Sequence, residues 1–272
     1  MKKILLLSLL SGIIAFSDTN AELMKKMESF SKNAFYEFNE VSANNRALGK
    51  GTQDVVENSD KILNEVYNDL VKTLNKTDKE NLLDAQRMWV KVNGKIDEYN
   101  EGIFNDYLTG REGILAHGPL TILDFTCSRI YFLNTYLNRN NKDTNSEIKT
   151  AFKRFEESED TSLFLKEKDI KNISISELDK RLNTTYGNVI KQLEKNSKSE
   201  FYEAKEKKLF TETVQKIKSS QIDWIKYRDL NFKFIDENKD FDSVSKEMMK
   251  KYIYVEMINY YEVFYYYWKE EI

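Results

Sequence analysis

The two residue types that most often carry hydrolytic or metal chemistry occur once each in this 272-residue chain, as His117 and Cys127. That excludes zinc sites built from several such ligands and leaves Cys–His catalysis with one conceivable pair. His117 stands in a His-Gly-Pro turn, where a plain loop residue is the simpler reading. Cys127 reads as a small buried apolar residue, because no second thiol exists for a disulfide within the chain. Among 45 acidic residues no spacing singles out a general acid and its base, so no catalytic set and no cofactor is assigned. One loop has ligand-like spacing. Asp236, Asn238, Asp240, Asp242 and Glu247 occupy positions 1, 3, 5, 7 and 12 of an EF-hand-like register. Phe241 holds the place of the glycine that such a loop needs, and a bulky residue resists the positive φ required there. The reading is an acidic surface loop, with Asp242 or Ser243 capping the last helix and no metal bound.

Other polar groups are written twice. The pattern DKxLNxxYxxxxKxL runs from Asp60 to Leu74 and again from Asp179 to Leu193, and QxxWxK follows at Gln86–Lys91 and at Gln221–Lys226. Earlier in each half, Lys32, Ala34, Phe35, Phe38 and Glu40 are matched by Lys149, Ala151, Phe152, Phe155 and Glu157. The spacing of about 120 residues is far beyond the ~20–50-residue period of a solenoid and points to two similar domains in tandem. On a helix, Asn64 shares a face with Tyr67, Asn183 with Tyr186, Gln86 with Trp89, and Gln221 with Trp224. Buried amides and the polar edges of aromatics need partners. Two readings stand: an interhelical clasp of Asn and Gln amides beside packed aromatics, or a polar, aromatic ligand groove present once per domain.

With Tyr227-Arg228-Asp229 following the second QxxWxK, these residues resemble the lysozyme inhibitor LprI-like N-terminal domain, over about residues 54–138 and 172–268. The resemblance implies an all-helical exported domain and an inhibitor of lysozyme. It also implies a disulfide in each domain, whose places correspond approximately to Asp97 and Cys127 in the first half and to Phe232 and the region of Val255 in the second. Both are lost here. The first half also has Asn93-Gly94 where the second has Arg228 and Asp229, so a function that needs that pair rests on the second half.

These residues must be positioned by helices. One proline and nine glycines leave few breakers, and apolar alternation of the strand type is absent. The expected helices cover 22–48, ended by Gly49 and Gly51, then 52–74, one opened by a Thr77–Glu80 capping box, and one from Pro119 to Leu137. In the second half they are 148–157, one opened by a Ser174–Glu177 box, one over 199–235, and a last one ending near Ile272. Residues 1–21 read as a signal peptide: Lys2 and Lys3, an apolar run from Ile4 to Phe16, then small residues with cleavage after Ser17 or Ala21. That run is shorter than the ~20 residues a bilayer span needs. Residues 22–141 and 142–272 form the expected first and second domains, each an antiparallel helical bundle, joined through polar chain near 138–146.

The net charge of −3 and the lack of a basic patch argue against nucleic acid as a partner. The expected function is an exported, periplasmic or secreted binding protein without enzymatic activity, with lysozyme or another envelope protein as its partner. The competing readings are an envelope enzyme acting on peptidoglycan and a structural or adhesive surface protein. A contact surface is expected where the acidic residues Asp236, Asp240 and Asp242 meet aromatics such as Tyr265 and Trp268.

Overall fold

The computed structural model describes residues 45–107, 117–137 and 167–269. Every element in them is an α-helix: α1 Asn45–Thr73, α2 Lys76–Tyr107, α3 His117–Leu137, α4 Glu167–Asn172, α5 Ile175–Asn196, α6 Ala204–Glu237 and α7 Ser243–Lys269. The all-α expectation holds. The signal peptide, the 138–146 connector, the 148–157 segment and the side chains of His117, Cys127 and Trp268 lie outside what is described.

Several helix boundaries follow from local chemistry. Ser174 and Glu177 form the expected capping box, the Glu177 amide donating to Ser174 Oγ (3.2 Å) and the Ser174 amide to Glu177 Oε2 (2.8 Å). The box expected at Thr77–Glu80 sits two residues earlier. There the Asp78 amide donates to Asn75 Oδ1 (2.9 Å) and Asn75 Nδ2 to Asp78 Oδ2 (2.7 Å). Asn is at least as good an N-cap as Thr, and at Asn75 it meets the chain just past the end of α1. Gly49 and Gly51 do not end a helix but lie within α1. A glycine costs only ~1 kcal/mol relative to alanine inside a helix, which its neighbours can offset.

The packing respects the repeat. α1 runs along α3 as α5 runs along α7, while α2 and α6, the two QxxW helices, pack against each other. Cross-links between them read in opposite order: Asn81 with Glu237, Lys91 with Asp223, Lys95 with Ser219, Glu98 with Lys216. The two helices are therefore antiparallel, and Trp89 and Trp224 lie at one level. At 34 residues α6 is ~51 Å long and α2, at 32, is ~48 Å, so this pair forms the spine of the molecule.

The halves share one core. A single cluster of buried apolar side chains runs from Ile62, Leu70, Trp89 and Ile96 through Leu133 and Tyr136 to Phe210, Trp224, Phe234 and Tyr261. Aromatic contacts stitch it across the halves: Phe125 to Tyr260 (5.7 Å), Tyr131 to Tyr252 (5.4 Å), and Tyr136 stacked on Phe234 (4.5 Å). Tyr254, Tyr260, Tyr261 and Phe264 are all buried, because α7 is covered by α3, α4, α5 and α6. This explains how one helix can carry aromatics on several sides.

Candidate functional site

The repeated polar residues do not meet as a four-membered clasp. Asn64 and Asn183 are both exposed, and each bonds one turn back on its own helix. Asn64 Nδ2 donates to the Asp60 carbonyl (2.8 Å) and Asn183 Nδ2 to Asp179 Oδ2 (3.1 Å). The DxxxN spacing is thus an i,i+4 pair on the outer face of α1 and α5. The neighbouring leucines, Leu63 and Leu182, take the inner face. Tyr67 is buried, and burial pushes its hydroxyl pKa up. Tyr186 is half-buried against the Tyr261 ring (5.6 Å).

The glutamines hold a different pair of helices from the one expected. Gln86 Oε1 accepts from Arg129 Nε (2.9 Å) and Gln221 Oε1 from Tyr261 Oη (2.9 Å). In both halves the glutamine ties the middle helix to the last helix, with an arginine as donor in one and a tyrosine in the other. Trp89 and Trp224 are both buried in the spine but have different company.

In the second half Trp224 underlies a charged corner. The Arg228 guanidinium lies over the rings of Trp224 (5.7 Å) and Tyr254 (5.8 Å). It pairs with Asp229 (2.7 Å) and Asp179 (3.5 Å), and donates to Tyr254 Oη (3.3 Å). Tyr254 Oη in turn donates to Asp179 Oδ1 (3.0 Å), so α5, α6 and α7 meet at one arginine. Burial alone would lower the Arg228 pKa, but its bonds to Asp229 and Tyr254 raise it. A planar fork that reaches two carboxylates and a hydroxyl while stacking on rings is a role lysine cannot fill. Beside it, where the family resemblance places a disulfide, the Phe232 ring packs on Tyr254 (6.0 Å) and Lys250 lies over Phe232 (5.1 Å). Apolar contact links α6 to α7 here.

The first half has no such corner. Asp60 occupies the place of Asp179, and burial, followed by the nearby Glu57, pushes its carboxyl up. Asn93 stands where Arg228 would be, and its Oδ1 is buried without a hydrogen-bond partner. Gly94 takes the place of Asp229, with open space where a side chain would go.

Two charged clusters join the halves, and sequence reasoning missed both. Asp223, between Gln221 and Trp224, is buried on α6 and held from α2 by Lys91 (2.9 Å) and by a short contact to Lys95, which also reaches Ser219 Oγ (2.7 Å). Burial pushes its carboxyl up, but the two ammonium groups outweigh this and hold it below the usual range. The second cluster surrounds Arg129, which is fully buried on α3. Besides Gln86, it reaches Asn231 Oδ1 (2.8 Å) and Tyr227 Oη (3.5 Å), and its guanidinium lies over Phe132 (4.9 Å) and Tyr227 (5.5 Å). Glu256 on α7 belongs to the same cluster, with burial raising its carboxyl to about 8 against the opposing pull of Arg129 and the Trp89 indole. Burial, and then Glu256, push the Tyr227 hydroxyl far up. A signal existed in the sequence: Arg129 is the lone charge between Phe125 and Leu137, and Glu256 the lone charge between Tyr252 and Ile258.

The acidic loop is divided among separate partners. Asp236 pairs with Lys250 (2.6 Å), Glu247 pairs with Lys251 (2.8 Å), and Asp242 caps α7 by accepting from the Ser245 amide (2.7 Å). Asn238 is buried, donating in a short contact to Tyr136 Oη, and its Oδ1 accepts from the Asp240 amide (2.8 Å). Among the described residues no three His, Cys, Asp or Glu side chains converge on a possible metal position. Nor do the acidic and aromatic features meet. From Asp242 to Tyr265 the chain runs the length of α7, about 34 Å at the helical rise, and Tyr265 is partly buried against the core.

A family model described as Lysozyme inhibitor LprI matches residues 166–259, one copy, covering α4, α5, α6 and most of α7. No curated protein and no solved structure matches the chain.

Proposed function

We propose that this is an exported protein without enzymatic activity that binds and inhibits lysozyme. The match of residues 166–259 to the lysozyme-inhibitor family carries this reading. That segment holds the Arg228 corner, whose charged groups are occupied with one another, an arrangement suited to holding a surface in shape rather than to moving protons. The tandem organisation follows from the repeat. The second half supplies the inhibitory surface and the first a docked copy that has lost the Arg-Asp pair. Among the described residues no helix is long and apolar enough to cross a membrane, and export rests on the leader-like residues 1–21. The acidic loop with Asp236, Asp240 and Asp242 is the proposed steering element for a basic partner, acting apart from Tyr265 and Trp268.

The test is cell-wall lysis followed by turbidity, with the purified protein alone, lysozyme alone, and both together. Slowed lysis in the mixture supports inhibition. Lysis by the protein alone would replace this reading with a peptidoglycan-acting enzyme, and no effect in either arm would leave an adhesive or structural role. If inhibition is found, changing Asp236, Asp240 and Asp242 together to Asn should weaken it at low salt and flatten its salt dependence.

A further inference from the structure

Among the described residues, the large apolar side chains that stand exposed are Phe201, Val244, Ile222 and Ile225. The first two stand singly, which is ordinary for a protein surface. Ile222 (57% exposed) and Ile225 (39%) are neighbours on the open side of α6, which packs on α2, α5 and α7 with its other sides. They belong to a stripe with a definite order. Lys218, Ile222, Ile225 and Asp229 follow at intervals of four, three and four residues, the spacing that keeps side chains in line along one side of a helix. Lys218 pairs with Glu194 (3.1 Å) and Asp229 with Arg228 (2.7 Å), yet their side chains remain 43% and 60% exposed. Two isoleucines are thus bounded by a cation toward the start of α6 and an anion toward its end. The stripe is symmetric about the point midway between Asp223 and Trp224.

We propose that this stripe is the contact through which two copies of the chain pair, α6 against α6, in antiparallel order. A two-fold axis at the midpoint sets Ile222 of one copy against Ile225 of the other and Lys218 of one against Asp229 of the other, each contact occurring twice. Parallel pairing is opposed by the same residues, because it brings lysine against lysine and aspartate against aspartate. A strongly basic partner such as lysozyme fits the stripe less well, since exposed Lys226 stands beside the isoleucines and Lys218 at one end, against the single carboxylate of Asp229. At the helical rise the stripe is only ~16 Å long, so the contact falls with the small interfaces of transient, concentration-dependent complexes. Pairing uses the outer face of α6 and does not depend on inhibition of lysozyme.

The intact protein is followed by sedimentation velocity and light scattering at low salt, from about 10 μM to about 1 mM, the range in which so small an interface should assemble. A monomer that becomes a dimer across this range, and less readily as salt is added, is expected. Ile222→Asp together with Ile225→Asp should leave a monomer throughout with unchanged circular dichroism. Lys218→Glu, which sets two carboxylates against each other across the axis, should weaken pairing several-fold. The register is read by oxidative cross-linking in a Cys127→Ser background, which removes the one native thiol. Copies carrying Ile222→Cys should link to copies carrying Ile225→Cys more readily than either links to itself. A monomer at every concentration, a dimer that survives loss of both isoleucines, or cross-linking without this preference would overturn the proposal. A protein that stays monomeric and loses inhibition of lysozyme when the isoleucines are changed would assign the stripe to lysozyme instead.

Discussion

Arg228 and the two repeated asparagines show how alike in pattern and unlike in weight sequence features can be. Arg228 joins three helices through two carboxylates, a hydroxyl and two rings, whereas Asn64 and Asn183 bond only within their own helices in solvent. Arg228→Met should therefore lower stability by about 1.5–3 kcal/mol, the range for charged hydrogen bonds. Arg228→Lys should recover only part of this, because an ammonium cannot reproduce the fork. Asn64→Ala or Asn183→Ala should change stability by no more than ~0.5 kcal/mol. Urea denaturation of the four variants measures the contrast, and a cost at Asn183 equal to that at Arg228 would contradict it.

At the scale of elements, the α2–α6 spine is fixed by apolar burial and by one carboxylate. Asp223 is nearly enclosed, with its side chain 5% exposed, and two lysines of the opposite helix close on it. Asp223→Asn keeps the shape but removes the charge that satisfies Lys91 and Lys95, and should cost about 2 kcal/mol. The pH dependence has a defined sign. The folded carboxyl is held below its ordinary value, so its contribution is present above that value and is lost as pH falls through the folded one, below about pH 4. Acid unfolding curves of the wild type and of Asp223→Asn should therefore converge at low pH. Curves that stay parallel would show that Asp223 is not the group responsible.

The whole molecule behaves as one cooperative unit if the shared core is what holds it. Residues 146–272 expressed alone would expose the α6 face that α2 covers, including the surroundings of Trp224. That fragment is expected to be poorly folded, or to self-associate through α6, when examined by circular dichroism and light scattering. A stable, fully helical monomer would mean that the second half is an independent domain after all. A second prediction at this scale concerns Glu256. Its folded pKa of about 8 lies above the ordinary 4.5, so the folded state holds an extra proton between these values. Stability should fall as pH rises from about 4.5 to about 8 and level off above, by an amount on the order of a few kcal/mol. Glu256→Gln should flatten that slope in thermal melts.

From the sequence alone came the helical class and the Ser174–Glu177 cap, because each depends on spacing along a helix or on bonds within one turn. Spacing could also place Asn64 beside Tyr67 on a face, but not say which face met the core. The tertiary structure decided that, by turning the leucines inward and the asparagines out. It also decided that the halves share a core, since the antiparallel pairing of α2 with α6 joins residues more than a hundred positions apart. The same holds for Arg129 and Glu256, lone charges in apolar runs whose partners lie on other helices. Local rules name the helices and their ends. Which polar groups are enclosed together depends on how the helices dock, and no local pattern carries that.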